Sequence, residues 1–295
     1  MTSISLLTTN AAVLSTSDLG PAAIPADGGR NAPSVVWTVL RHEVRNLPKN
    51  RGVLLFALTM LLLSESVLRL TGSGARALTA MLNIVLVVVP LVTLVFGVIS
   101  WHASREFNEL LLAQPVRRRS LFAALYLALV APLAAAFTIG LLTPFIVHRA
   151  ITSDAIALLL ATVGAGCALT LVFGGLALLI GVSVDDRLRG VALGLAVWLL
   201  LTVAYDGLVL LVATTFADYS LERPMLALTL FNPVDLARAL IVMQSDTAAL
   251  MGYTGAVMHR FLGSALGSVA SLLGLVAWIV IPALTARRAF ERRDF

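Results

Sequence analysis

Long apolar stretches separated by polar connections dominate the chain. A helix needs about 20 apolar residues to cross the hydrocarbon core of a bilayer. Six stretches have this character, roughly 53–70, 79–101, 120–147, 153–182, 190–216 and 262–286. The pattern therefore predicts an all-α membrane protein with six transmembrane helices.

The composition supports this class. Of 295 residues, 59% are hydrophobic and 13% are charged, and the mean hydropathy is +0.95. A soluble domain has about 45–50% apolar and about 25% charged residues, so the composition indicates an integral membrane protein and excludes most soluble enzyme folds. The single cysteine, Cys167, excludes an internal disulfide and any motif built on several cysteines.

The N-terminal region differs from the rest. Residues 1–33 are rich in Ser, Thr, Ala and Gly without a sustained period, so we expect a disordered tail or an overlong start, followed by a six-span domain over 34–295. Residues 35–51 combine an apolar helical face with a basic one. That pattern predicts an amphipathic helix lying on the inner membrane surface.

Basic residues are unevenly distributed between the two sides of the predicted spans. With the N-terminus inside, fifteen of the 21 basic residues lie on the inner side. Cytoplasmic loops carry such an excess, so both termini are predicted to be cytoplasmic. The net charge of +5 is then a property of these loops and does not indicate a nucleic-acid surface.

The inner connection after the second stretch carries the first candidate site. Residues 104–113 predict a short amphipathic helix that ends before Pro115 and precedes the arginines 117–119. The helix is either a coupling element that docks into a partner or a solvated interfacial helix, and the pattern leaves both open. Its candidate docking residues are Arg105, Glu106, Phe107, Glu109 and Leu110.

The outer connection, 217–261, is much longer than the others. Asn232-Pro233 predicts a helix start, because Asn caps a helix and Pro suits its first turn. A second short helix is predicted over 247–258. We interpret the segment as a small helical layer on the outer surface, with Asn232, Asp235 and Arg238 as candidate docking residues.

Two acidic residues fall inside predicted spans, where an ionisable group is costly and usually functional. Glu65 has Arg69 four residues on, and a structural ion pair is the favoured interpretation. Asp206, next to Tyr205, has no basic neighbour in sequence. It faces a cavity or an interface, or pairs with another span; the sequence leaves these open.

Methionines collect in the outer connection. Met251, Met258 and the adjacent His259 are weak candidates for metal ligands, because thioether sulfur suits Cu(I). Methionine is also common filler on apolar faces. Without close Met spacing, filler is the favoured interpretation, and no metal site is predicted.

A nucleotide-binding P-loop is missing from the sequence. Such a loop needs a lysine followed by Ser or Thr after its glycines. The single lysine, Lys49, is followed by Asn50 and lacks the glycines. No catalytic centre is predicted, and if the protein is driven by ATP, the nucleotide with its magnesium is bound by another polypeptide.

These features together resemble the permease subunits of type-2 ABC transporters. The string SREFNELLLAQPVRRRSLFAALYLAL (104–129) is similar to that family's inner coupling loop. Four further strings resemble the permease of the copper-processing transporter that matures nitrous oxide reductase: DDRLRG (185–190), YDGLVLL (205–211), LFNPVDLARALIVMQ (230–244) and MGYTGAVMHRFLGS (251–264).

The resemblance implies a homodimer in the bacterial inner membrane, bound to two copies of a separate ATP-binding subunit. It also implies that the outer connection contacts a periplasmic partner protein and a copper chaperone, and that copper or a sulfur species is transported or signalled. Three alternatives stay open: a non-transporting mechanotransmission scaffold, an ABC exporter of another substrate, and an autonomous ion-coupled transporter using Glu65 and Asp206.

Overall fold

The computed structural model describes residues 51–104, 118–215, 228–244 and 265–292. Within these ranges the chain is helical, and none of these residues forms a strand. The segments 1–33, 35–50, 105–113 and 247–258 lie outside the described residues, so the predictions made for them are not addressed.

The helices follow one another in an antiparallel bundle. They are α1 (Arg51–Thr71), α2 (Gly74–Ala103), α3 (Arg118–Val147), α4 (Ser153–Ser183), α5 (Arg187–Leu199), α6 (Tyr205–Thr215), α7 (Pro233–Val242) and α8 (Ala265–Arg292). A five-residue π-helical turn, Leu200–Ala204, joins α5 to α6.

Six helices of the described part are long and apolar enough to cross a membrane, which confirms the predicted fold class. We call them spans one to six: α1, α2, α3, α4, the α5–α6 unit and α8. Span six continues to Arg292, beyond the predicted end at 286. Arginines favour a helix C-terminus and can extend their heads out of the apolar layer, so the helix does not end where the apolar run ends.

Spans two and four form the centre of the bundle, with half of each apolar window buried (50%). Glycines let neighbouring helices approach closely. A Cβ on Gly166 would lie 2.2 Å from the Phe137 ring of span three, and one on Gly140 would lie 2.7 Å from the main-chain oxygen of Ala57 in span one. Packing of this kind suits membrane helices, which gain little from the hydrophobic effect.

Span five is packed on one side. Its window is 6% buried, and its contact with span two runs along Gly190 and Gly194. None of the residues of α6 is buried. Most of this span's apolar surface therefore faces outward from the single chain.

The short helix α7 lies inside the bundle, packed on α4, α8 and α2. Eight of its residues are buried: Pro233, Val234, Asp235, Leu236, Ala237, Ala239, Ile241 and Val242. The sequence led us to expect a layer on the outer surface. Because α7 is apolar on most sides, it packs against the spans and is not an exposed layer in the single chain. Its position on the outer side of the membrane stays a prediction.

Candidate functional site

Five polar residues named from the sequence lie close together, where the start of α6 faces α7. Tyr205 and Asp206 come from span five, whereas Asn232, Asp235 and Arg238 come from α7 and its cap. The sequence assigned the two sets to different roles. The structure brings them together, and we call them the α6–α7 cluster.

Asn232 organises the start of α7. Its Oδ1 accepts a hydrogen bond from the Val234 main-chain N–H at 3.0 Å, and Pro233 occupies the first turn, which confirms the predicted helix start. Its Nδ2 donates to the Leu201 carbonyl at 2.9 Å, within the π-helical turn, and to Asp235 at 3.1 Å. A side-chain donor within the main-chain ladder is a recognised cause of helix distortion, and here it coincides with the widened turn.

Arg238 connects the two elements. Its two terminal nitrogens donate to the two oxygens of Asp206 at 3.0 and 2.9 Å, and Nη1 also donates to Asp235 at 3.0 Å. A fork-to-fork pair of this geometry fixes orientation as well as distance. Asp206 therefore pairs with a residue of another element, and that residue belongs to the short helix α7 and not to another span, as one of the alternatives from the sequence had it.

The electrostatics of the cluster follow from one cation beside two carboxylates. Burial raises the pKa of Asp235 to about 6; the Arg238 cation opposes this shift, and the Asp206 carboxylate adds to it. Burial also disfavours the Arg238 cation, but its hydrogen bond to Asp206 and the charge of Asp235 outweigh that effect and raise the pKa of Arg238. The arginine is therefore held as a cation, and Asp235 is the group most sensitive to pH.

Tyr205 adds a neutral link. Its hydroxyl donates to the Leu228 carbonyl at 2.6 Å. Together with the Arg238–Asp206 pair, this bond ties the base of α6, none of whose residues is buried, to the segment that leads into α7.

The exposure of the cluster is uneven. Asn232 is fully buried and Asp235 is 7% exposed, so both side chains make their contacts within this chain. The side chains of Asp206 and Arg238 are 43% and 30% exposed. Docking of a partner near α7 stays a prediction, and in the single chain the partly exposed cluster members, Tyr205, Asp206 and Arg238, are accessible to one.

Glu65 lies in a second ionic group. It pairs with Arg69 one turn later, as the sequence predicted, and with Nε2 of His148 at 2.9 Å. His148 follows span three and was not expected here, because it is 83 residues away in sequence. We call this set the Glu65 group.

The coupling-helix residues Arg105, Glu106, Phe107, Glu109 and Leu110 lie outside the described residues, as do Met251, Met258 and His259. In the part that is described, no three His, Cys, Asp or Glu side chains are grouped to hold a metal ion. We call the segment 105–117 the coupling loop. The structure describes the residues on either side of it.

Both flanks of the coupling loop contact the end of span six. The Phe290 ring lies 6.0 Å from that of Trp101 in the last turn of α2 and 5.9 Å from that of Phe122 at the start of α3, measured between centroids. Arg118 donates to the Glu291 main-chain oxygen at 2.8 Å, and Arg119 Nε lies 3.5 Å from the Glu291 carboxylate.

His102 holds the loop entry against the turn after span four. Its Nδ1 is 2.8 Å from the Val98 carbonyl and its Nε2 is 3.0 Å from the Val184 carbonyl. The coupling loop thus leaves from a helix end that is fixed to the turn between spans four and five.

Comparison with protein families gives one finding that bears on all these features. The model of a family described as ABC-2 family transporter protein matches residues 84–295, which is most of the chain. The chain belongs to the ABC-2 transporter family. Comparison with curated proteins gives no significant match.

Membership of the ABC-2 family confirms the type-2 ABC permease indicated by the coupling-loop string. The chain is a multi-pass transmembrane component of an ABC transporter, and this family works with an ABC ATP-binding partner. The match includes the coupling loop, the α6–α7 cluster and span six.

Proposed function

We propose that this chain is the non-catalytic permease of an ABC transporter whose ATP-binding subunits are separate polypeptides, and that two copies of it form the membrane part. The ATP-binding subunits grip the coupling loop in the cytoplasm of a bacterium and move it when they close on ATP. The family match carries this proposal. It is supported by the sequence around Lys49, which lacks the features of a P-loop.

Deletion of 104–114 tests the role of the coupling loop. We expect the ATP-binding subunit to copurify with the wild-type chain and to be lost from the deletion variant, with membrane insertion unchanged. A matched control is Arg76→Ala, at an exposed arginine of the opposite end of span two, which should leave copurification unchanged. Normal binding by the deletion variant would contradict the proposal.

For the cargo, we propose copper or a sulfur species used in maturing the copper centres of nitrous oxide reductase. Support comes from the four strings between 185 and 264 that resemble the permease of that system. Residues 217–261 would then meet a periplasmic partner and a copper chaperone. In a strain lacking its own permease, expression of this chain should restore copper to the reductase, measured by metal analysis and N₂O reduction; an empty reductase would exclude this cargo.

A scaffold that relays the ATPase stroke without moving a substrate is the second candidate. One observation favours it: among the described residues, the buried side-chain polar atoms without a partner are Thr93 Oγ1 and Ser271 Oγ. The other enclosed polar side-chain atoms of the described residues are bonded within the chain, as expected of helices that transmit movement through packing. ATP-dependent uptake of labelled copper or sulfide into vesicles would favour transport of these species; a partner-dependent change without flux would favour the scaffold. Flux of other compounds alone would indicate an exporter of another substrate.

The ion-coupled alternative is less well supported by the geometry. Both carboxylates on which it depends are ion-paired, Glu65 with Arg69 and Asp206 with Arg238. Gradient-driven uptake by the purified chain without an ATP-binding subunit would contradict our proposal.

A further inference from the structure

The last turn of span six lies between the two ends of the coupling loop. Phe290 is fully buried, and its ring contacts Trp101 on the entry side and Phe122 on the exit side. A closely packed interior has little free space, so a shift of either helix end displaces this ring.

Glu291 adds a polar connection on the exit side. Its main-chain oxygen accepts the hydrogen bond from Arg118, and its carboxylate lies near Arg119 and 2.9 Å from Nε of Arg287. Because Arg118 and Arg119 directly follow the loop and Arg287 belongs to span six, Glu291 joins the loop exit to this helix.

Further along, the same helix contacts the segment that carries the α6–α7 cluster. Trp278 Nε1 donates to the Leu230 carbonyl at 3.2 Å. Gly274 faces Leu236 of α7, since a Cβ there would lie 3.1 Å from Leu236 Cδ1. Arg238 of α7 in turn holds Asp206 of span five.

We propose that span six transmits displacement of the coupling loop to α7, with Phe290 and Glu291 as the positioning residues that make the connection. The proposal rests on the proposed function, because an ATP-binding subunit supplies the displacement. Its physical content is that one helix contacts both flanks of the loop at one end and the α7 segment near its middle. When α7 moves, the Arg238–Asp206 pair passes the movement on to span five.

A cysteine reporter beside α7 tests the connection in the full chain, without any ATP-binding subunit. The natural cysteine is replaced by Cys167→Ser, and Phe231→Cys is introduced at a position that is 71% exposed and adjacent to Leu230. The protein is placed in lipid nanodiscs, and the reaction rate is measured with a small uncharged thiol reagent that enters lipid as well as water. Phe290→Ala is expected to change that rate by about threefold or more, the size found for mutations that alter coupling between sites.

Leu284→Ala is the matched control, because it shortens an exposed side chain on the same helix and should leave the rate unchanged. Glu291→Gln keeps the side-chain shape and removes the charge, and should shift the rate in the same direction by a smaller amount. If Phe290→Ala does not fold, the rate measured for Glu291→Gln tests the proposal in its place.

The proposal is overturned if folded Phe290→Ala and Glu291→Gln give the same rate as Leu284→Ala. The same assay separates this outcome from failure of the proposed function. If the ATP-binding subunit copurifies but neither variant alters the reporter, the transmission by span six is wrong and the permease assignment stands. If the reporter responds and no ATP-binding subunit binds the coupling loop, the contact path through span six is supported and the proposed gripping of the coupling loop is wrong.

Discussion

Two ionic groups in this chain have similar residues and differ in what they join. In the Glu65 group the main pair lies one turn apart on a single helix, and the Arg69 side chain is 72% exposed. In the α6–α7 cluster, Arg238 and Asp206 are 32 residues apart and lie on two elements, with Asp235 buried beside them. An exposed pair adds little to stability, whereas removing one partner of a buried pair leaves an uncompensated charge. Asp206 and Arg238 are 43% and 30% exposed, and the buried carboxylate of the cluster is Asp235. We therefore expect the cluster that joins two elements to contribute more to stability than the pair that sequence spacing identifies.

The largest effect is expected for Arg238→Met. This substitution leaves Asp206 and Asp235 without their cation and should lower the free energy of unfolding by about 3 kcal/mol, the lower end for a broken buried pair because Asp206 is partly exposed. The measurement is the midpoint temperature in nanodiscs.

Arg238→Lys should fall between wild type and Arg238→Met, since an ammonium group keeps the charge but cannot form the two-pronged contact. Arg76→Met, at an exposed position, is the control and should leave the midpoint unchanged. A midpoint for Arg238→Met equal to that of the control would remove the distinction between the two groups.

An intermediate effect, dependent on pH, is expected for Asp235→Asn. Burial raises the pKa of Asp235 to about 6 from the usual 3.8, so the folded chain binds the proton more tightly than the unfolded chain. The stabilisation from this proton is full below the unfolded pKa and is lost as pH rises through about 6. Between pH 5 and pH 7.5 the wild type should lose about 1 kcal/mol from this group.

Asp235→Asn should show a flatter dependence of the unfolding midpoint on pH over that interval. Asn is the suitable replacement because it keeps the shape beside Asn232 and leaves Arg238 paired with Asp206. Identical slopes in the variant and the wild type would show that Asp235 is not the responsive group.

The smallest effect is expected for Glu65→Gln. Arg69 and His148 are both exposed to solvent, and water can replace the lost contacts. The unfolding midpoint should stay within the scatter of replicate measurements. A loss as large as that of Arg238→Met would reverse the comparison between the two groups.

The sequence was sufficient for the spans because length and apolarity are local properties. It also identified the start of α7, since an Asn-Pro pair is a local signal. It did not reveal that α7 is buried or that Arg238 meets Asp206, because both depend on how distant helices pack. The π-helical turn at Leu200–Ala204 had no sequence signal that we recognised, and its partner Asn232 comes from another segment.

For the candidate sites, too, the sequence identified individual residues but not the contacts between distant ones. Asp206 was named because it is ionisable inside a predicted span, Tyr205 because it adjoins Asp206, and the other members of the α6–α7 cluster as candidate docking residues of the outer connection. Their shared location required the structure. Phe290 and Glu291 were not named, because a phenylalanine and a glutamate near a basic C-terminus look ordinary in sequence. The roles proposed for Arg105, Glu106, Phe107, Glu109 and Leu110 stay predictions.

Span six also contains Pro282, between the residues that contact the coupling-loop flanks and those that contact α7. Proline has no main-chain N–H, so the carbonyl of Trp278 lacks its usual helical donor. Gly175 of span four faces this point, where a Cβ would lie 3.3 Å from Pro282 Cβ. Proline is a common cause of a bend in a helix, and Gly175 lets span four pack closely against it here. If span six transmits displacement as we propose, a sideways push on the Phe290 turn would change the angle between the two halves of this helix.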